Sequence, residues 1–395
     1  MRGRSAGSEG WGGGARPTVA HLIEPYLFLT GSWIHTQLER NREFRHVVLC
    51  QRTENLDLFP HEPVHASLDA APAPVRAWRR LAVRLSRSYP LEPYRRWTEE
   101  EGARLLHAHF GWEACRALGL RKKTGLPLAT TFYGLDASRE VHRPHWRARY
   151  RELFRVGERF FVEGSHMASR LEGAGAPRER IRVVPLGIDL ERISFRPRRL
   201  APGESPRILF SGSFREKKGA ADAVAAFARV APAFPGARLV LLGDGDRRRE
   251  VEQAIAAGGC ASAVDLRGYV GYGEYLAELG RSHVLIAPSR TAADGDTEGG
   301  APVTVIEAQA AGLPVVSTTH CDIPEVTVPG ESALLSPEKD TPALAENLRA
   351  LLFAPESWAV RGEAGRRHVE RRHDATKQAV RMAAEYREIL EEAPA

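Results

Sequence analysis

The sequence predicts an α/β protein of two doubly wound, parallel-sheet domains facing a central cleft. Three observations lead there. Short apolar runs alternate with helix-period stretches, the pattern of parallel βαβ units. That series occurs twice, and residues 192–205, rich in Pro and Arg and weakly periodic, separate the two occurrences. With 395 residues, 43% of them hydrophobic, the chain has material for two cores.

The elements follow in order. Residues 1–15 form a Gly/Arg/Ser tract without an apolar region, expected to be a disordered tail and not a secretory signal. Residues 16–191 make the first domain, with strands expected at 18–23, 46–50, 105–108, 128–131, 159–162 and 181–184. After the 192–205 linker, residues 206–374 make the second, with strands at 207–211, 239–242, 264–266, 284–287, 315–318 and 333–335. Residues 375–395 carry Gln378, Val380, Met382, Ala383, Tyr386, Ile389 and Leu390 in an amphipathic pattern, a helix expected to close the chain against a sheet.

Composition narrows the function classes. The apolar runs are too short to span a bilayer. Cys50, Cys115, Cys260 and Cys321 are scattered without a CxxC pair, which argues against a zinc ribbon or a disulfide scaffold and suits a reducing cytoplasm. A net charge of +6 favours anionic partners, but no nucleic-acid recognition motif accompanies it. Between residues 76 and 97, Arg76, Arg79, Arg80, Arg84 and Arg87 punctuate an apolar pattern that includes Trp78, Leu81, Val83 and Leu85. Tyr89, Tyr94, Arg95, Arg96 and Trp97 follow. This reads as a basic helix with aromatic flanks, suited to an anionic membrane surface or to the solvated face of a core helix. The expected location is cytoplasmic or peripheral on the inner face of the membrane.

The segment richest in chemistry runs from Glu298 through Gly299, Gly300, Ala301 and Pro302 to Glu307 and Gly312. Pro302 suits a helix start and Gly312 its end, giving loop, short helix and strand. The first amides of that helix, at Val303 and Thr304, point toward an anion, reinforced by the helix dipole. A diphosphate fits there, with one carboxylate accepting from a sugar and the other from a ribose. Alone, such a junction fits an ordinary surface helix equally well.

Three further constellations occupy strand ends. Gly212, Ser213, Arg215, Lys217 and Lys218 follow the first strand of the second domain, placing cations at a helix entry where a diphosphate's charge would be neutralised. Tyr133 and Asp136 follow a strand of the first domain and are expected to project into the cleft. His107 and His109 share one face of a strand, but with no third ligand nearby they fit a polar pocket or core role better than a metal. Thr30, Gly31 and Ser32 open a helix near Trp33, a loop fit to approach a phosphate or an acceptor.

From about residue 20 to residue 387 the chain resembles retaining family 4 glycosyltransferases of GT-B architecture, especially the bacterial exopolysaccharide and colanic-acid type. The resemblance rests on an ordered set: His107-Ala-His109-Phe, Phe132-Tyr-Gly-Leu-Asp136, Glu163-Gly-Ser165, Arg182-Val-Val-Pro-Leu-Gly187-Ile-Asp189, Ser211 to Gly219, Gly243-Asp-Gly245, Arg267-Gly-Tyr269, Ala287-Pro-Ser289, Glu298 to Gly312 and Ile323-Pro-Glu325. It implies transfer of a glycosyl group from a nucleotide diphosphate sugar with retained anomeric configuration. Glu298 would hold sugar hydroxyls, Glu307 the ribose and Lys218 the diphosphate, with no metal and no other cofactor. The acceptor would be a glycan, a lipid-linked or a small-molecule hydroxyl, and the last helix would pack back toward the first domain.

Together, residues and resemblance put Gly31, Ser32, Gly212, Ser213, Arg215, Lys218, Gly268, Tyr269, Glu298, Gly299, Gly300, Ala301, Val303, Thr304 and Glu307 around the donor. Tyr133, Asp136, Lys218 and Glu298 fall at the reacting centre, with Asp136 expected to position the acceptor or take its proton. Three departures stand out. Eight residues separate Glu298 from Glu307, where the family pattern has seven. Ser213 replaces the usual arginine and Tyr133 the usual histidine. A non-catalytic sugar-nucleotide binder, or an epimerase or hydrolase on the same scaffold, stays open beside the transferase reading.

Overall fold

The computed structural model describes residues 15–28, 31–69, 71–86 and 88–393, with the side chains at 79, 80 and 82–86 left out. The first half forms a seven-stranded sheet: β1 (Thr18–Leu22), β2 (Arg45–Cys50), β3 (Val64–Ala66), β4 (Ala103–His109), β5 (Leu128–Thr131), β6 (Arg159–Val162) and β7 (Ile181–Val183). Its order is β3-β2-β1-β4-β5-β6-β7. The second half forms a six-stranded sheet of β8 (Arg207–Ser211), β9 (Arg238–Leu242), β10 (Val264–Gly268), β11 (Val284–Ala287), β12 (Val315–Thr318) and β13 (Ala333–Ser336), in the order β10-β9-β8-β11-β12-β13. Every strand pair is parallel. In each sheet the order reverses beside the first strand, so a switch-point crevice opens at the carboxyl ends of β1 and β4, and again at β8 and β11. Central strands such as Val284–Ala287 are buried on both faces, which explains their continuous apolar composition.

Helices cover both faces. The first sheet carries α1 (Ser32–Arg40), α2 (Ala73–Ser86), α3 (Leu91–Glu100), α4 (Gly111–Thr124), α5 (Leu135–Ser138), α6 (Pro144–Val156) and α7 (Ser165–Gly173). The second carries α8 (Ala220–Val230), α9 (Arg248–Ala257), α10 (Tyr272–Arg281), α11 (Val303–Ala311), α12 (Ile323–Val326), α13 (Thr341–Phe353) and α14 (Trp358–Arg372). The last helix, α15 (Ala375–Glu392), begins at Asp374, whose carboxylate accepts the Thr376 amide at 2.8 Å.

Although it follows the second domain, α15 packs on the first sheet. Met382, Ala383, Tyr386 and Ile389 join Val19, Leu105, Ala129 and Phe161 in one apolar cluster. Burial of its three large side chains contributes about 2 kcal/mol each, and Arg159 fixes the helix end through Glu392 at 2.7 Å. The chain thus crosses between domains twice, and the crossings are tied together: Ile188 donates to the His373 carbonyl at 2.8 Å and Ala375 to the Ile188 carbonyl at 3.1 Å. A Cβ on Gly187 would lie 2.7 Å from the Ala375 backbone, so only glycine lets the two segments meet.

The expected basic segment breaks into two helices with different surroundings. Tyr89 and Tyr94 are buried in the first core, and Trp97 packs against that core and stacks on His65, so these aromatics do not form a surface flank. Arg95 is held by Glu92 and Glu99, and Arg96 by Glu100. Of the two, α2 is the helix with large apolar groups exposed to solvent, Val75 at 37%, Trp78 at 68% and Leu81 at 54%. The Arg79, Arg80 and Arg84 side chains and Arg87 lie outside the described residues, as do the Val83 and Leu85 side chains, Thr30 and residues 1–14. Among the described residues no helix is long and apolar enough to cross a membrane.

Candidate active site

The second-domain side of the cleft is built around α11. Pro302 stands at its N-cap and contributes no side-chain cap, leaving the first amides, including those of Val303 and Thr304, without a partner inside the helix. Gly312 ends the helix in the left-handed region at φ 92°. Glu307 sits inside α11, where Tyr272 and Tyr275 of α10 donate to its two oxygens at 3.1 and 2.8 Å. Burial pushes its carboxyl up to about 7, although both tyrosine hydroxyls pull the other way.

Glu298 has the opposite electrostatics. Its Oε2 is 2.8 Å from Lys218 Nζ and its Oε1 accepts from Ser289 Oγ at 2.8 Å. Burial opposes its charge, but the Lys218 and Lys217 ammonium groups outweigh it and hold the carboxyl below its usual value. Lys217 bonds Asp296 at 3.1 Å and the Thr297 carbonyl at 2.8 Å. Arg215 is exposed on the same loop, and among the described residues it has no ion-pair partner. Gly212 donates to the Leu242 carbonyl at 2.9 Å, and Ser213 accepts the Arg215 amide at 2.8 Å, so this turn is fixed by its own backbone. Gly268 accepts from the Gly243 amide at 2.8 Å. Tyr269 beside it is 60% exposed, with its hydroxyl donating to the Asp244 carbonyl at 2.8 Å.

Across the cleft, the loop after β5 lies directly on this motif. A Cβ on Gly134 would lie 2.3 Å from the Glu298 carbonyl oxygen, and one on Gly299 would lie 2.1 Å from Gly134 Cα. The residue that lengthens the spacing between the glutamates is therefore accommodated at a glycine contact: Gly299, at φ 79°, takes a turn forbidden to most residues while Glu298 stays against Lys218. Gly300 packs on the Glu163 carboxylate, and Ala301 joins the second-domain core. Asp322, preceding α12, crosses the cleft to accept the His166 amide at 2.7 Å and so caps α7 from the other domain.

Asp136 does not reach the cleft. It is buried, and its carboxylate accepts the Gly111, Tyr133 and Gly134 amides at 2.9, 3.0 and 2.9 Å. With both oxygens occupied it holds the turn that carries Tyr133, which corrects the expectation that it meets the acceptor. Gly31 and Ser32 open α1 on the same side, where Phe28, Trp33, Phe110 and Tyr133 pack ring against ring.

The third imidazole that local sequence did not supply comes from β1. His21 Nδ1 is 3.0 Å from His109 Nε2, and the ligand atoms of His21, His107 and His109 all lie within 4.8 Å of one another. Each ring nitrogen already has a partner, so the cluster is a hydrogen-bonded chain. His21 Nε2 meets His46 Nδ1 at 2.9 Å, His46 Nε2 meets the Asn41 carbonyl at 2.6 Å, and His109 Nδ1 meets Tyr133 Oη at 2.8 Å. His107 branches to Tyr386 and to Thr131. Burial holds these histidines neutral, with His46 at about 4 and His109 at about 3. A carbonyl only accepts, so His46 donates to Asn41, His21 to His46 and His109 to His21. Tyr133 must then donate to His109.

Sequence reasoning gave no site role to Glu163, Ser289, Asp322, Tyr272, Tyr275 or His21, although Glu163 and Ser289 stood in its motifs. Only Tyr272 and Tyr275, three apart at a helix start, carry a local sign, a shared face. The others gain their meaning from partners more than 20 residues away in most cases, such as His21 with His109.

Comparison with known proteins agrees with this geometry. Residues 35–192 match the family described as Glycosyltransferase Family 4, and residues 205–353 match Glycosyl transferases group 1. WcaL of Escherichia coli, by name a colanic acid biosynthesis glycosyltransferase, is 36% identical over 245 residues, 62% of this chain and 60% of that protein. The amylovoran biosynthesis glycosyltransferase AmsK of Erwinia amylovora is 35% identical over 246 residues, again 62% and 60%. The chain therefore spans about three-fifths of the length of these curated relatives. Sucrose-phosphate synthase from Thermosynechococcus elongatus superposes with a TM-score of 0.74 at 19% identity, covering 95% of this chain and 99% of that one. Anabaena HepE in complex with UDP and glucose gives 0.76 at 14% identity, covering 94% and 100%. Two facing parallel sheets, paired family matches on the two halves and relatives of the exopolysaccharide type place the chain among the family 4 glycosyltransferases of GT-B fold.

Proposed function

We propose that the protein transfers a glycosyl group from a nucleotide diphosphate sugar to a hydroxyl of a glycan or lipid-linked acceptor in polysaccharide biosynthesis, with retention at the anomeric carbon. The observation that carries this reading is the uncapped N-terminus of α11, flanked by Glu298 on Lys218 and by Glu307 on two tyrosines. The diphosphate sits at the open amides of Val303 and Thr304, with Lys218 and the exposed Arg215 beside it. Glu307 accepts from the ribose and Glu298 from the donor sugar. Tyr269 offers its exposed ring to the base.

As the bond to the sugar breaks, negative charge grows on the diphosphate. Fixed cations and helix amides stabilise that charge, an effect of about 3–4 kcal/mol for one well-placed donor. The acceptor hydroxyl attacks the oxocarbenium-like centre from the face the diphosphate leaves and passes its proton to the departing phosphate oxygen, while the Gly134–Gly299 contact draws the two sides of the cleft together. No metal is assigned a step, since the cations of the loop between β8 and α8 take that role. UDP bound to HepE makes uridine the first base to try.

A thermal-shift screen across UDP, GDP, ADP and TDP sugars tests the donor site, because a ligand of the native state raises apparent stability. NMR of the product's anomeric proton then reads retention. Binding with free sugar as the only product would favour the hydrolase reading, and binding without turnover the non-catalytic one.

A further inference from the structure

The turn between β12 and α12 grips the loop that carries Glu298 from behind. The Glu298 amide donates to His320 Nε2 at 3.1 Å, and the Asp322 amide donates to the Gly300 carbonyl at 3.1 Å. These bonds bracket Gly299, where the lengthened spacing between the glutamates is absorbed. His320 is buried, and its other ring nitrogen is also engaged, with Nδ1 2.6 Å from Glu338 Oε1.

The contacts fix the state of the imidazole. A backbone amide only donates, so His320 Nε2 is the bare, accepting nitrogen, and Nδ1 carries the proton that goes to Glu338. Cys321 Sγ lies 3.1 Å from the same Nε2. Burial pushes that thiol up to about 12, so it keeps its proton and also faces the ring as a donor. Glu338, which follows β13, accepts the Thr291 amide at 2.7 Å through its second oxygen. Burial opposes its charge, but the Thr291 amide and His320 outweigh that and hold the carboxyl below its usual value. One carboxylate and one imidazole thus tie both ends of the 291–298 loop to neighbouring strand ends.

The hold matters because Glu298 and Gly299 compete for one position. Counted back from Glu307, the family spacing lands on Gly299, which has no side chain to offer. Glu298 takes the place only if the backbone turns between them, and Gly299 makes that turn at φ 79°. Glycine adopts other conformations as readily, so the turn needs bonds from outside it. Lys218 cannot be the lasting hold, since it is assigned to the donor's diphosphate. We propose that His320, oriented by Glu338, is a positioning residue that fixes the backbone of the lengthened loop so that Glu298, and not Gly299, meets the donor sugar. This role rests on the transferase reading, whereas the hydrogen bond behind it does not.

Two isosteric replacements test it. Gln sets its carbonyl oxygen near the place of Nε2 and Asn sets its amide near that of Nδ1, so only His320→Gln keeps an acceptor for the Glu298 amide. Hydrogen exchange at that amide should quicken about tenfold or more in His320→Asn and stay within about threefold of wild type in His320→Gln. Calorimetric titrations then compare UDP-glucose with UDP, and GDP-mannose with GDP. His320→Asn should bind the sugar nucleotide about tenfold or more weaker and the bare diphosphate within about twofold of wild type, because the diphosphate does not meet Glu298. His320→Gln should restore the sugar nucleotide. Loss of packing alone would weaken both ligands in both variants. Should His320→Asn fail to fold, Glu338→Ala, at a side chain 29% exposed, should show the same selective loss. Unchanged exchange at Glu298, equal effects of Gln and Asn, or equal loss of sugar nucleotide and diphosphate overturns the positioning role. If the wild type binds none of these ligands, the donor reading falls and exchange decides alone: quickening confined to His320→Asn keeps the hold on the loop, and unchanged exchange removes it.

Discussion

Lys218 Nζ lies 2.8 Å from Glu298 Oε2, a bridge that joins the loop between β8 and α8 to the loop before α11. The two groups proposed for the donor's diphosphate and sugar thus neutralise each other across the two loops. Donor binding has to divide this pair between two parts of one ligand.

The side chains of the bridge are 22% and 5% exposed, so removing one partner is unequal to removing both. Lys218→Ala strands a buried carboxylate and should cost about 2–3 kcal/mol, less than for a fully buried pair because Lys218 touches water. Lys218→Ala and Glu298→Ala should each lower transfer by about a hundredfold or more. In urea melts, the double variant should be more stable than the sum of the two single losses predicts, by about 1 kcal/mol or more. Strict additivity would remove the coupling from the account.

Glu307 predicts a pH dependence with a definite sign. Its folded value of about 7 exceeds the usual 4.5, so between these the native protein binds the extra proton. The stability this confers is fully present below 4.5 and is lost as pH rises through about 7. Glu307→Gln should therefore melt near wild type at acid pH and above it at alkaline pH. Ribose hydroxyls need the ionised carboxylate, so sugar-nucleotide affinity should fall by up to about tenfold per unit below 7 in the wild type and stay flat in the variant. Calorimetric titration across that range reads both; a parallel slope in Glu307→Gln would sink the assignment.

Asp322 predicts how closure is held. Its carboxylate accepts the His166 amide from across the cleft, a cap worth about 1 kcal/mol. Asp322→Ala should enlarge the radius of gyration in small-angle scattering of the unliganded protein. Asp322→Asn, which keeps an acceptor oxygen, should stay near wild type. Equal expansion in both would point to packing and not to the cap.

Much of the fold was legible because buried parallel strands write continuous apolar runs. Strands at 128–131, 159–162, 207–211, 284–287 and 315–318 coincide with the observed ones. The edge strand Val64–Ala66 was not legible: three half-buried residues carry no period. At the candidate site, Glu298, Glu307 and the cations after β8 could be named because loop and helix chemistry is local. Asp136 was misplaced for a physical reason. A strand-end carboxylate looks the same in sequence whether it faces solvent or ties down its own loop, and only the positions of the Gly111 and Gly134 amides decide. The histidine chain depends on β1 pairing with β4 in the register His21 to His107, which no local spacing encodes.

The surface of α2 yields the last prediction. Trp78 and Leu81 are more than half exposed and Val75 joins them, an apolar face on a helix whose sequence alternates with arginines. Such a helix rests its apolar side chains in the headgroup boundary and its cations on anionic lipid. The full chain should cosediment with phosphatidylglycerol vesicles and much less with phosphatidylcholine, and high salt should release it. Trp78→Ala with Leu81→Ala removes about 2 kcal/mol of apolar transfer, on the order of thirtyfold in partition, while the donor-induced rise in Tm stays unchanged. Equal binding to neutral vesicles, or retention by the double variant, would leave α2 an ordinary solvated helix and free the acceptor of any need to be membrane-borne.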